Sequence, residues 1–196
     1  MTSSTAEGDA GDGGAPLADG TLTWVVHVES FDGFYAREYS SLVAMAFALT
    51  GSRAHAEDVA QEAMLAAYRR WQQVSDLEHP EAWVRRACSN LAMSQYRRRL
   101  VELRAVTRLA RRPQPIPPEA ADDEFWACVR GLPKRQAQAA ALRYLYQLDI
   151  ADIARTLEIT EGSVKQHLSR GRARLVRELN LTDAPDQQQP VEEVES

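Results

Sequence analysis

The sequence predicts an all-α protein of two small helical domains joined by a flexible linker. Three observations carry that reading. Apolar residues recur with a three-four stride from Phe31 to Leu49 and in later segments, no strand-like alternation of useful length appears, and four prolines between Pro113 and Pro118 divide the chain. With 196 residues and 44% hydrophobic side chains, the chain can form one ordinary domain or two small ones.

The first twenty residues are mostly Gly, Ala, Ser, Thr and Asp, with almost nothing to bury, so residues 1–28 read as a disordered acidic extension. The short apolar run Trp24–Val28 leads into the first helix and is given no role. From Phe31, apolar side chains at Phe34, Tyr35, Tyr39, Leu42, Met45, Ala46 and Leu49 mark an amphipathic helix that stops at Thr50-Gly51. A second helix is expected from about Arg53 to Gln72. Ala56, Val59, Ala60, Ala63, Ala67 and Trp71 share one side of it, and Asp58, Gln61, Glu62, Leu65, Arg69 and Gln72 the other.

Pro80 suits the first turn of a third helix after the polar loop Ser75–His79, and that helix is expected to reach about Leu100. Val84, Cys88, Leu91 and Gln95 form its core side, so Trp83, Arg86, Asn90, Met93 and Arg97 are expected to project on the opposite side. An exposed line of aromatic, guanidinium and amide groups suits single-stranded or locally melted DNA, because unstacked bases gain by stacking and the backbone by charge pairing. Packing of Trp83 against the second helix is the alternative. The first domain is thus placed at 29–103.

Residues 104–121 combine arginines with Pro113, Pro115, Pro117 and Pro118 and read as the linker. Fully extended, such a segment spans on the order of 60 Å, nearly two turns of duplex at about 34–36 Å each. The second domain, 122–180, is expected to hold a helix at about Asp122–Gly131, another from Pro133 to about Tyr146, and a bihelical unit at 149–179. Residues 181–196 read as a disordered acidic tail.

The segment 149–168 has the layout of a helix-turn-helix. Asp149 can cap its first helix and Thr160 its second, Glu161 suits the first turn of the second, and small Ala154 permits a close crossing. Ile153, Leu157, Ile159, Val164 and Leu168 supply the shared core. Ser163, Lys165, Gln166 and Arg170 lie toward the end that meets base edges in the major groove, and Arg172, Arg174 and Arg177 are placed to hold phosphates. Glu158 stands in the turn where many such motifs use glycine to enter the left-handed region. His167 lies between the core and outward faces, so packing and DNA contact both stand open for it. A helical hairpin that binds protein only is the alternative for the whole unit.

Net charge is -5, but it is segregated along the chain. Residues 1–32 hold six acids and 183–196 five, with no Lys or Arg in either; the 23 bases therefore face only 17 acids in 33–182, a net of +6. Nine arginines against the single acid Glu102 in 85–112 favour a polyanion partner over a merely solvated face. Cys88 and Cys128 have no CxxC partner, and His27, His55, His79 and His167 have no metal-ligand spacing, so no cofactor or metal is expected. The absence of a long apolar run and of a secretory signal layout places the chain in the cytoplasm, with no membrane insertion.

Three stretches resemble the extracytoplasmic-function (ECF) sigma factors of the sigma-70 family. Ala56-Glu-Asp-Val-Ala-Gln-Glu-Ala-Met-Leu-Ala-Ala-Tyr-Arg-Arg-Trp71 looks like the polymerase-binding helix of region 2. Pro80-Glu-Ala-Trp-Val-Arg-Arg-Ala-Cys-Ser-Asn-Leu-Ala-Met-Ser-Gln-Tyr-Arg-Arg-Arg99 is similar to the helix that captures the minus-ten element. Gly131-Leu-Pro-Lys-Arg-Gln, Leu142-Arg-Tyr and the helix-turn-helix through Leu175 look like region 4. The match covers roughly residues 31–179, and the arginine-rich, lysine-poor style resembles actinobacterial members.

The resemblance implies that Asp58, Gln61, Glu62, Leu65 and Arg69 dock on the β′ clamp helices of core RNA polymerase. It implies that loop 75–79 with Trp83, Arg86, Asn90, Arg97 and Arg98 binds the melted strand of promoter DNA, and that region 4 reads the minus-thirty-five duplex and touches the β flap. An anti-sigma factor is an implied partner, and no catalysis is expected. The acidic N-terminal extension departs from the usual short pattern. The rival reading is a free-standing helix-turn-helix regulator with a helical N-terminal domain. A nucleic-acid enzyme would need a carboxylate or metal cluster, and Asp122-Asp123-Glu124 is better explained as a first helical turn.

Overall fold

The computed structural model describes residues 30–109 and 124–179. Those residues form eight helices and no strand: α1 Phe31–Thr50, α2 Arg53–Tyr68, α3 Trp71–Ser75, α4 Pro80–Leu109, α5 Glu124–Gly131, α6 Lys134–Leu145, α7 Ile150–Leu157 and α8 Glu161–Glu178. The expected tails at 1–28 and 181–196 lie outside the described residues, as does the proline-bearing part of the expected linker.

Local chemistry sets the ends of α1. The Ser30 hydroxyl accepts from the Gly33 N–H at 3.2 Å, and Asp32 sits in the first turn, where the helix dipole favours a carboxylate. The helix stops at Gly51, whose φ of 70° lies in the left-handed region and whose N–H donates to the Phe47 carbonyl at 2.8 Å. The turn at Gly51 and Ser52 then folds α2 back onto α1. Ala56, Val59, Ala60, Ala63 and Ala67 are buried as expected; alanine at these positions brings the two helices close around Phe34, Leu42, Met45 and Leu49.

Two boundaries differ from the sequence expectation. Helix α2 ends at Tyr68 instead of continuing to Gln72, because Arg70 leaves helical geometry at φ -123° and Trp71 starts the short α3. The turn lets Trp71 pack against Phe31 and Phe34, with ring centroids 5.3 and 5.0 Å apart, while Tyr68 meets Phe31 at 5.0 Å. Helix α4 passes Leu100 and runs to Leu109, so residues 104–109 of the expected linker are helical. No helix breaker stands between Leu100 and Leu109, and the first proline comes at 113.

A buried ion pair fastens α4 to α1. Arg85 Nη2 donates to the Glu38 carboxylate at 2.9 Å, Arg37 Nε donates to the same group at 3.2 Å, and the Arg85 guanidinium lies 4.5 Å from the Tyr146 ring. Cys88 is buried beside Leu42, and burial pushes its thiol up to about 12, so it remains a neutral packing group.

The two halves pack against each other around one continuous apolar core. Helix α6 lies between them, and every residue from Gln136 to Leu142 is buried, as follows for a helix covered on all sides. Arg130 on α5 is also buried and donates to the Ala48 carbonyl at the end of α1 at 3.1 Å. Across the junction of the two halves, α5 and α6 contact α1, and α6 and α7 contact α4.

In the bihelical unit the Asp149 carboxylate accepts from the Asp152 N–H at 2.7 Å, and the Thr160 hydroxyl from the Ser163 N–H at 3.2 Å, as the cap residues predicted. Glu158 adopts the left-handed conformation at φ 51° that a glycine would take more easily. Ile153, Leu157 and Val164 are buried between α7 and α8, with Ile159 and Leu168 half-buried beside them.

Candidate polymerase and nucleic-acid interfaces

Three sets of predicted residues occupy three surfaces. On α2 and its C-cap Arg69, the side chains Asp58, Gln61, Glu62, Leu65 and Arg69 are all exposed, Leu65 at 46%. Gln61 donates to the Tyr39 hydroxyl at 3.5 Å, which ties this face to α1. A leucine exposed among acids, an amide and a base has the mixed character of a protein-docking face with an apolar centre and polar surround.

On α8, Lys165, Gln166, Arg170, Arg172, Arg174 and Arg177 are exposed. Ser163 is half-buried and its hydroxyl lies 2.9 Å from that of Thr160, so it belongs to the helix cap as much as to the outward face. Arg177 Nε donates to the Ala173 carbonyl at 3.1 Å, which orients its guanidinium along the helix. His167 is half-buried; burial, then Arg135 and Arg170, hold its imidazole below the usual histidine range. That favours packing of a neutral ring over a charged phosphate contact.

The line on α4 departs from its expectation. Arg97 and Arg98 are exposed, but Met93 is fully buried, and Trp83, Arg86 and Asn90 are half-buried. The cause is the second half of the chain, which covers the side of α4 opposite to Val84 and Cys88. Arg86 forms an ion pair with Glu158, and the Gln138 amide donates to both Ser89 Oγ and Asn90 Oδ1 at 3.0 Å. Trp83, Arg86 and Asn90 line a cleft with Arg70, Arg135 and Glu158. Periodicity within α4 could not reveal these partners, and Gln138 lies in an alanine run that carries no polar pattern.

Among the described residues no group of three or more His, Cys, Asp or Glu side chains is placed to hold a metal, and no helix is long and apolar enough to cross a membrane.

Two family models match the halves separately: sigma-70 region 2 over residues 34–100 and sigma-70 region 4 over residues 122–175. The chain belongs to the sigma-70 family. It is 27% identical over 158 residues to the RNA polymerase sigma-E factor of Streptomyces coelicolor, covering 80% of this chain and 89% of the relative. It is 30% identical over 152 residues to the ECF RNA polymerase sigma factor SigM of Mycobacterium tuberculosis, covering 76% of each. These matches make this sigma-70 protein an ECF sigma factor, an alternative sigma factor that acts with core RNA polymerase on promoter DNA in transcription initiation. Two solved structures share its fold. The sigma factor RpoE, solved with the anti-sigma factor NepR from Bartonella quintana, superposes with a TM-score of 0.60 at 22% identity, over 78% of this chain and 98% of that one. CnrH in complex with the cytosolic domain of CnrY gives 0.55 at 20% identity, over 78% and 89%. Matches to both halves, in this order, displace the free-standing regulator.

Proposed function

We propose a division of labour within this sigma factor, with region 2 at residues 29–103 and region 4 at 122–180. Asp58, Gln61, Glu62, Leu65 and Arg69 dock on the β′ clamp helices. Loop 75–79 and Trp83, Arg86, Asn90, Arg97 and Arg98 hold the melted strand of the minus-ten element. Ser163, Lys165, Gln166 and Arg170 read the minus-thirty-five duplex, Arg172, Arg174 and Arg177 hold its phosphates, and region 4 also touches the β flap. The chain acts in the cytoplasm and catalyses nothing itself; the work of melting is drawn from binding unstacked bases and from polymerase contacts.

The observation that carries this reading is α8: a helix capped by Thr160, anchored by Val164 and Leu175, and presenting Lys165, Gln166 and Arg170 to solvent near its N-terminal end. The α2 face supports it, because Leu65 is exposed although α2 has a full apolar side elsewhere. An anti-sigma factor is the proposed regulator; the RpoE neighbour was solved with one.

Run-off transcription with core polymerase tests the assignment. Gln166→Ala and Arg170→Ala are each expected to reduce initiation at the cognate promoter, and Asp58→Ala with Leu65→Ala to weaken binding to core enzyme. Full activity in all of these variants would remove the residue assignments.

A further inference from the structure

Arg69 and Arg70 are neighbours in sequence but turn to different surfaces. Arg69 keeps helical backbone geometry at the end of α2 and stays beside the face assigned to polymerase. Arg70 leaves that geometry at φ -123° and ψ 23°, and its side chain lines the cleft where Trp83, Arg86, Ala87 and Asn90 of α4 stand. A helix continued to Gln72 would have set Arg70 three residues beyond the buried Ala67, on the covered side of α2. The break separates two side chains that a straight helix would have buried together: Trp71 enters the aromatic cluster with Phe31 and Phe34, and Arg70 swings out to solvent.

The backbone holds this arginine in place. Its N–H donates to the Ala67 carbonyl at 3.1 Å, and its carbonyl accepts from the N–H groups of Gln73 and Val74, each at 2.9 Å. Val74 is buried, so the turn is anchored from the core side as well. Among the described residues no carboxylate or hydrogen-bond acceptor engages the Arg70 guanidinium, whereas Arg85 is held by Glu38, Arg86 pairs with Glu158 and Arg135 donates to Gln138. An exposed, unpaired cation on a fixed backbone, beside an aromatic ring and an amide, suits a phosphate of a single strand.

We propose that Arg70 is a phosphate-binding residue on the path of the melted strand, and that the break of α2 serves to bring it there. Trp83 offers ring surface to a base and Asn90 an amide to a base edge. Arg70 carries no sequence information; it fixes the backbone of the same strand beside them. Two adjacent arginines thus divide between two partners, Arg69 facing the polymerase and Arg70 the DNA. The inference rests on the proposed assignment of Trp83, Arg86 and Asn90 to the melted strand.

The full chain carrying Arg70→Ala or Arg70→Lys, assembled with core polymerase, provides the test. Binding of a labelled fork-junction DNA from the cognate promoter, single-stranded through the minus-ten element, is measured at several salt concentrations. Arg70→Ala is expected to weaken binding about tenfold and to lower the slope of log affinity against log salt by about 0.7, the value for one contact to a single strand. Arg70→Lys is expected to keep the slope and recover most of the affinity, since lysine supplies the charge without the paired planar donors. Replacing the strand phosphates one at a time by neutral methylphosphonates is expected to reveal one position at which wild type and Arg70→Ala bind equally. Affinity for core enzyme and the unfolding midpoint are expected to stay at wild-type values, because the side chain is exposed. Wild-type fork affinity and salt slope in Arg70→Ala overturn the proposal. So does a loss of core affinity that matches the loss on DNA, which would put Arg70 with Arg69 on the polymerase face. If Trp83→Ala and Asn90→Ala leave fork binding unchanged while Arg70→Ala weakens it with the reduced slope, the α4 assignment fails and the phosphate contact stands. The reverse result removes Arg70 alone.

Discussion

The buried Arg130 guanidinium reaches across the junction of the two halves to the Ala48 carbonyl, 3.1 Å away, and passes over Gly51 so closely that a β-carbon there would stand 2.9 Å from Arg130 Cζ. The cation thereby meets the C-terminal end of α1, where the helix dipole and unpaired carbonyls favour positive charge. Gly51 is needed twice, for its φ of 70° and for the missing side chain. Gly51→Ala is therefore expected to cost about 1–3 kcal/mol in denaturant unfolding, from left-handed strain and displacement of Arg130. An unchanged unfolding midpoint would show that the guanidinium adapts freely.

Much of this architecture was legible in local chemistry. The stop at Gly51, the caps Asp149 and Thr160, and the buried alanine face of α2 follow from residue types at fixed offsets, because each depends on neighbours one helical turn away. The break at Arg70 was not legible, since Trp71 turns aside to reach Phe31 and Phe34, which are distant in sequence.

Glu38 and Arg85 give a second prediction. Their side chains are 7% and 16% exposed and lie 2.9 Å apart, so loss of the carboxylate leaves a guanidinium largely out of water against the Tyr146 ring. Glu38→Ala is expected to destabilise the fold by about 3 kcal/mol. The exposed pair Arg53–Glu57, 3.1 Å apart on the surface of α2, is the internal comparison, and Arg53→Ala is expected to cost no more than about 0.5 kcal/mol. Equal losses from the two substitutions would contradict the role given to burial.

The candidate site was only partly legible. The outward face of α8 and the mixed face of α2 emerged because each belongs to one helix with one covered side. The α4 line failed the same reasoning: Met93 is buried and Asn90 is hydrogen-bonded to Gln138, a residue 48 positions further on. A helix wheel assigns one wet face by default, and α4 has structure against both of its faces.

His167 yields a pH prediction. Burial, Arg135 and Arg170 hold its pKa below 6.5 in the fold, so the unfolded chain takes up the proton first as pH falls. The stability linked to His167 is present above about pH 6.5 and is lost as pH falls through the lower folded value. Unfolding free energy is expected to drop between pH 7.5 and 5.5, and His167→Gln to flatten that drop. A variant with the full wild-type pH dependence would assign it to other groups.

The last prediction separates reading from holding on α8. Gln166 and Arg174 are both exposed on the helix, but at different distances from its Thr160 cap. A base contact near the N-terminal end discriminates sequence, whereas a phosphate contact further along adds affinity to any duplex by releasing a counterion. Gln166→Ala is expected to cost about 1–3 kcal/mol on the cognate duplex and little on an unrelated one, with the salt dependence unchanged. Arg174→Ala is expected to weaken both duplexes alike and to reduce the slope of log affinity against log salt by about one. Titrations of both variants on both duplexes at several salt concentrations decide the matter, and a changed salt slope in Gln166→Ala with intact discrimination would reverse the two roles.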